Sequence, residues 1–199
     1  MSRAGIGFDI QINPAQERAL LRFSRQMPKQ IPRVLSRAVN RTASPTAIKM
    51  IADEVGQEIL LKKGSIKKRI RLQRRATPSE PSAMIAIPPA KSPSLASFRR
   101  PKDIHPRGVR VQVRANEPTQ VLRHAFIRSL NGVPQILTRE MPGGGISPRY
   151  PITVKRGPSV RGVFANEPGL AQRALRNISA ALGRRVSHEI NFELSRSVR

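Results

Sequence analysis

The chain has 199 residues, 38% of them hydrophobic, and carries 37 Lys and Arg against 12 acids, a net charge of +25. No cysteine is present, which excludes disulfides, thiolate catalysis and cysteine-held metals, and 4% aromatics without Trp leave only an aliphatic core. Self-repulsion at this charge opposes a compact free monomer, so a polyanionic partner is expected: nucleic acid, an acidic protein surface, or both.

Phe8, Ile10 and Ile12 alternate with polar residues over Gly7–Asn13 and predict an opening strand. Pro14 starts a helix bearing Ala15, Ala19, Leu20, Phe23 and Met27, and Pro28 and Pro32 predict a break near Met27. Ile31, Val34, Leu35, Ala38 and Val39 form the next apolar stripe, with Arg33, Arg37 and Arg41 facing away. Ser44-Pro45 reads as a fresh helix entry, with Ser as N-cap. Ile48, Ile51, Ala52, Val55 and Ile59 continue the apolar face until Gly64-Ser65, which stops that helix and caps a short one carrying Ile66 and Ile70. Asp53, Glu54 and Glu58 read as a solvated face beside Lys62 and Lys63.

Lys62–Arg75 holds eight cations in fourteen residues and no acid: Lys62, Lys63, Lys67, Lys68, Arg69, Arg71, Arg74 and Arg75. Ile66, Ile70 and Leu72 would pin it to the body, so the charges sit on a fixed element. Such a segment suits contact with a phosphate backbone or an acidic partner. No aromatic interleaves, which argues against a platform for stacking single-stranded bases.

Ala83–Ile87 predicts a strand, and Lys91–Arg107 an irregular stretch anchored by Leu95 and Phe98. Val109, Val111 and Val113 alternate with Arg110, Gln112 and Arg114, a strand that is aliphatic inside and cationic outside. Ala125–Ile127 predicts another strand, turned back at Asn131-Gly132 into Pro134–Thr138. Met141–Tyr150, with three consecutive glycines, reads as a flexible loop.

Tyr150–Phe164 organises the rest. Ile152 and Val154 alternate as a short strand with one buried face, and Gly157-Pro158 ends it. Gly157 can adopt a positive φ, and Pro158 suits the first position of a helical turn. Ser159 follows, and Val160, Val163 and Phe164 turn toward one core. From Gly169 to about Ser195 the stripe Ala171, Ala174, Leu175, Ile178, Leu182, Val186 and Ile190 predicts a long final helix, weakened by Gly183.

The fold class expected is α+β: N-terminal helices, a small and mostly antiparallel sheet with long loops, and a C-terminal helix. Three regions are expected, at 1–75, 76–165 and 166–199, within one structural domain overall. His105, His124 and His188 lack a partner at zinc-ligand spacing, and the three glycines precede no Gly-Lys-Ser/Thr. No catalytic, metal-binding or cofactor-binding residue is expected, and no cofactor. Met1–Gly5 leads into no apolar signal core, and no run reaches membrane-span length, so a membrane location is not expected.

Four stretches, in order, resemble the minor tail protein Z family of long-tailed phages and prophages. Val34–Ala43 is similar to the family's early helix, Lys62–Arg75 to its basic segment, and His124–Ile127 to the strand before its loop. Pro151, Ile152, Gly157, Pro158, Ser159, Val160 and Phe164 carry its closing pattern. The resemblance implies a structural, non-enzymatic tail completion protein of the virion, assembled in the host cytoplasm at the head-proximal end of the tail. It would help join head to tail and pass or position DNA. Implied partners are further copies in a ring, with a hexamer expected, the tail terminator or head-completion connector proteins or both, and double-stranded DNA in the channel. A sequence-independent nucleic-acid-binding protein fits the charge equally well, and a nuclease fits it less well for want of acid and histidine clusters.

Overall fold

A computed structural model describes residues 21, 23–25, 27–98, 104–105, 107–139 and 152–197, with backbone alone at 104, 105 and 197. The strand expected at Gly7–Asn13, the helix start at Pro14, the loop Met141–Tyr150 and Pro151 lie outside these residues. In chain order the helices are α1 (Ile31–Arg41), α2 (Ile48–Glu58), α3 (Lys63–Lys67), α4 (Val160–Asn166) and α5 (Leu170–Ser197). The strands are β1 (Arg71–Arg74), β2 (Met84–Ala86), β3 (Ile104–His105), β4 (Gly108–Val111), β5 (Gln120–Arg123), β6 (Ala125–Leu130), β7 (Val133–Arg139) and β8 (Ile152–Val154). The class is α+β. The strands form three small antiparallel sheets, β1-β2, β3-β4-β5 and β6-β7-β8, where one was expected. Two compact units divide the chain: Met1–Glu54, Ile70–Pro88 and Glu167–Arg199 in the first, Val55–Arg69 and Pro89–Asn166 in the second.

In the first unit Met27 breaks the helical path at φ −140° and ψ 62°, because the ring of Pro28 crowds the α region for the residue before it. Helix α1 then lays Val34 and Ala38 against Val186 and Ile190 of α5, with Phe23 completing the cluster. The helix entry expected at Ser44-Pro45 is absent. A π-helical turn, Thr42–Ala47, carries α1 straight into α2. The widened turn accommodates a proline that has no N–H to donate, so Ser44 is not an N-cap. Ile51, Ala52 and Val55 are buried as their spacing predicts. Helix α5 runs unbroken through Gly183, burying Leu170, Ala174, Ile178, Val186 and Ile190. A two-way bond ties α1 to the residue after the first strand: Asn40 Nδ2 donates to the Ala76 carbonyl at 2.8 Å, and Ala76 N–H donates to Asn40 Oδ1 at 2.9 Å.

The second unit begins within α2, at Val55, and that helix ends at Glu58 and not at Gly64-Ser65. Ile59 and Leu61 leave the helix to form antiparallel bridges with Arg114 and Phe98. Lys62 occupies the N-cap of α3, and Gly64 lies inside that turn. Val109 and Val111 are buried on β4 while Arg110 between them is exposed, as the alternation predicts. Asn131 and Gly132 take φ of 52° and 75°, the paired left-handed residues of a two-residue hairpin turn, and Leu130 faces Val133 across it.

β8 departs from expectation. Ile152 is 37% exposed and Val154 half-buried, so they do not form a buried face. β8 is a three-residue edge strand whose Thr153 meets Thr138 of β7, Oγ1 to Oγ1 at 3.0 Å. Apolar burial passes instead to Ile136 and Leu137 of β7. The stop and the helix after it hold: Val160, Val163 and Phe164 are all buried. Ser159 is the cap, its Oγ accepting from Gly162 N–H at 2.9 Å, so Pro158 precedes the helix and does not begin it. Gly157 is not among the left-handed residues; space beneath the ring of Phe98 explains it. Pro93–Phe98 is held along the same stretch, with Leu95 N–H donating to the Lys155 carbonyl at 3.1 Å and Gly157 N–H to the Pro93 carbonyl at 2.9 Å. Leu95 and Phe98 are buried anchors, as expected.

Candidate polyanion interface

The eight cations of Lys62–Arg75 do not share one element. Lys62, Lys63, Lys67, Lys68 and Arg69 belong to the second unit, on and beside α3. Arg71, Arg74 and Arg75 belong to the first, on and after β1. Ile66 is 0% exposed and roots α3, which leaves Lys62, Lys67 and Lys68 in solvent. Ile70 is buried too, while Leu72 is only half-buried.

Three of the eight have partners within the fold. Arg69 donates Nη1–H to the Lys91 carbonyl at 2.9 Å. Arg74 pairs with Glu80 at 2.6 Å and donates to Ser82 Oγ at 2.9 Å. Lys63 is exposed and also has an internal partner. Among the described residues the side chains of Lys62, Lys67, Lys68, Arg71 and Arg75 hold no hydrogen bond or ion pair. These five are the cations offered outward, interleaved with the three that have partners.

The acids follow the opposite pattern. Glu189 and Glu193 of α5 are buried, and Arg37 and Arg41 of α1 close on them. Arg37 bonds Glu193 and stands 4.0 Å from Glu189, which Arg41 bonds directly. These two arginines therefore do not simply face away, as their place opposite the apolar stripe suggested. Glu54 is buried and not on a solvated face: Arg173 Nε and Asn177 Nδ2 each donate to it at 3.0 Å. The sequence did carry a signal for these contacts. Glu189 and Glu193 stand four apart, on the same helix face as Val186 and Ile190, and Glu54 adjoins Val55 on the buried face of α2. A carboxylate on an apolar stripe calls for a buried cation or amide partner.

Charge thus separates by unit. The second unit has 19 Lys and Arg against four acids, a net +15, and the first has 18 against eight, a net +10. Several acids of the first unit are consumed by internal pairs. The second unit carries the larger uncompensated charge on the smaller number of acids.

The family model described as prophage minor tail protein Z matches residues 16–199. The chain belongs to the prophage minor tail protein Z family. The match reaches beyond the four stretches, taking in the whole of α5. No curated protein and no solved structure matches the chain. As a minor tail protein it is a structural component of the phage tail. Among the described residues no group of His, Cys, Asp and Glu could hold a metal ion, and no helix is long and apolar enough to cross a membrane. His188 is 62% exposed on α5, and His124 sits in a left-handed conformation at the junction of β5 and β6, with its N–H donating to the Arg107 carbonyl at 3.1 Å.

Proposed function

We propose that this minor tail protein is a tail completion component at the head-proximal end of the tail, where it helps join head to tail and steadies the DNA that passes through. The observation that carries this reading is α3. A buried isoleucine fixes a short helix at which Lys62, Lys67 and Lys68 meet solvent with no partner among the described residues, in a unit of net +15. Lysines held in this way suit sequence-independent contact with a phosphate backbone, because they supply charge without a base-reading pattern. The protein works in several copies arranged as a ring, with a hexamer expected, beside the tail terminator and head-completion connector proteins.

Copy-to-copy contact in so basic a protein needs a surface free of cations. The end of the β6–β7 hairpin supplies one. Leu130 and Val133, opposite each other at the turn, are 41% and 51% exposed, and no charged residue lies from Ser129 to Thr138. A second copy of the chain is the occupant proposed for it.

The test is genetic and structural together. In a phage or prophage carrying this protein, Lys67, Lys68, Arg71 and Arg75 are replaced by Gln and particles are imaged. The proposal predicts complete particles with tails attached that fail in genome positioning or delivery. Accumulation of separate heads and tails, with unaltered duplex affinity of the purified variant, would instead assign the cations to an acidic neighbouring protein.

A further inference from the structure

We infer that the outer face of the β3–β4–β5 sheet is a second phosphate-backbone contact, with Arg110 and Arg123 as its cations; the inference rests on the polyanion reading of α3. The face follows from register. Val109 and Val111 are buried at 1% and 5%, so Arg110 between them points to the opposite side and is exposed. Arg110 is paired with Val121 across β4 and β5, and Gly108 with Arg123, which puts Val121 and Arg123 on the same side as Arg110. Diagonal neighbours on such a face stand about 7–8 Å apart.

Gly108 faces Arg123, and no other residue fits there. Its φ is 148°, and a Cβ would lie 1.9 Å from the Leu122 carbonyl oxygen. The backbone opposite Arg123 therefore carries no side chain.

Among the described residues nothing offsets these charges. Neither arginine side chain holds a hydrogen bond or an ion pair among the described residues. Glu117, in the loop before β5, is paired with Arg114 at 3.5 Å. Edge protection does not explain Arg110, because β4 is the central strand of the three. A protein partner is the poorer fit: among the described residues Val121, 38% exposed, is the sole exposed large apolar side chain beside Arg110 and Arg123, and protein interfaces need an apolar centre. A phosphate backbone needs none, and guanidinium bonds it in pairs.

The same unit holds α3. Leu60 N–H donates to the Val113 carbonyl at 2.8 Å, and Ile59 bridges Arg114, so the strand running on from β4 is bonded to the residues that lead into α3. One ligand with a repeating negative charge engages both, and their contributions to salt dependence add.

The experiment uses the full chain, two unrelated DNA duplexes and a polyglutamate peptide, with binding followed by fluorescence anisotropy over a range of salt. Arg110→Gln/Arg123→Gln is expected to lower the slope of log affinity against log salt by about 2, at about 0.9 per phosphate contact, equally for both duplexes. Arg110→Lys/Arg123→Lys is expected to keep the slope. In the unaltered protein, either duplex is expected to shield Arg110 and Arg123 from phenylglyoxal, a readout that needs no variant. A slope unmoved by the Gln pair, together with unshielded arginines, overturns the inference even while lysine variants of α3 still flatten it. Loss of polyglutamate binding alone overturns it in favour of an acidic protein. Absence of duplex binding by the unaltered chain overturns both this inference and the reading of α3.

Discussion

Gly157 lies beneath the ring of Phe98: a Cβ built there would stand 2.4 Å from Phe98 Cε2 and 2.5 Å from Cζ. Those distances are impossible for real atoms, and the ring is itself 3% exposed, so it has little room to withdraw. Gly157→Ala is therefore expected to cost about 1–3 kcal/mol, the range for overpacking a filled core. Thermal unfolding checks this. Phe98→Leu combined with Gly157→Ala should cost less than the two single changes added together, because the two sites touch. Additive losses would separate the glycine from the ring.

Phe164, 2% exposed on α4, gives a second test of the same region. Phe164→Ala should destabilise by about 3–5 kcal/mol, through lost burial and the cavity left behind. That is a large share of the stability of an ordinary domain. An unchanged melting temperature would mean that the residue has no core to leave.

The α1–α5 ion pairs predict an asymmetry. Glu189 is 1% exposed at its side chain, whereas Arg37 and Arg41 are 36% and 54% exposed. Removing the arginines strands two carboxylates away from water. Removing the acids leaves cations that still reach it. Arg37→Met/Arg41→Met should therefore destabilise more than Glu189→Gln/Glu193→Gln, with the arginine pair costing about 3 kcal/mol, the lower end for an orphaned buried charge. Urea unfolding of both double variants makes the comparison. The reverse order would show that the acids are solvated.

The sequence disclosed elements more readily than partners. The alternation of Val109 and Val111 with Arg110, the Asn131-Gly132 turn and the long C-terminal stripe each follow from local periodicity or turn chemistry, and each is present. Ser44-Pro45 misled because capping preferences describe a helix that starts anew, and here the chain arrives already helical and widens around the proline. Ile152 misled because alternation gives the period of a strand but not its place at a sheet edge. At the candidate site, the density of cations was legible. Their division was not, since Arg69 and Arg74 are committed to Lys91 and Glu80, partners that only the folded chain brings near.

The hairpin tip separates assembly from folding. Leu130 and Val133 are exposed, so Leu130→Ser/Val133→Thr should change stability by less than about 0.5 kcal/mol, as surface changes usually do. Removing apolar area from the proposed contact should weaken self-association. Sedimentation velocity over a concentration series would detect the shift toward monomer. Unaltered association would move the copy-to-copy contact elsewhere.

The central claim is that the basic segment is divided: Lys62, Lys67 and Lys68, on and beside α3, face a polyanion, while Arg69 and Arg74 serve the fold. The direct measurement is the salt dependence of duplex binding by two variants of the full chain, with a melting curve for each. Lys62→Gln/Lys67→Gln/Lys68→Gln should keep the melting temperature and flatten the slope, by about 0.9 for each lysine that meets a phosphate. Arg69→Gln/Arg74→Gln should lower the melting temperature and keep the slope. Equal flattening by both variants, or a slope that the lysine variant does not move, would contradict the account.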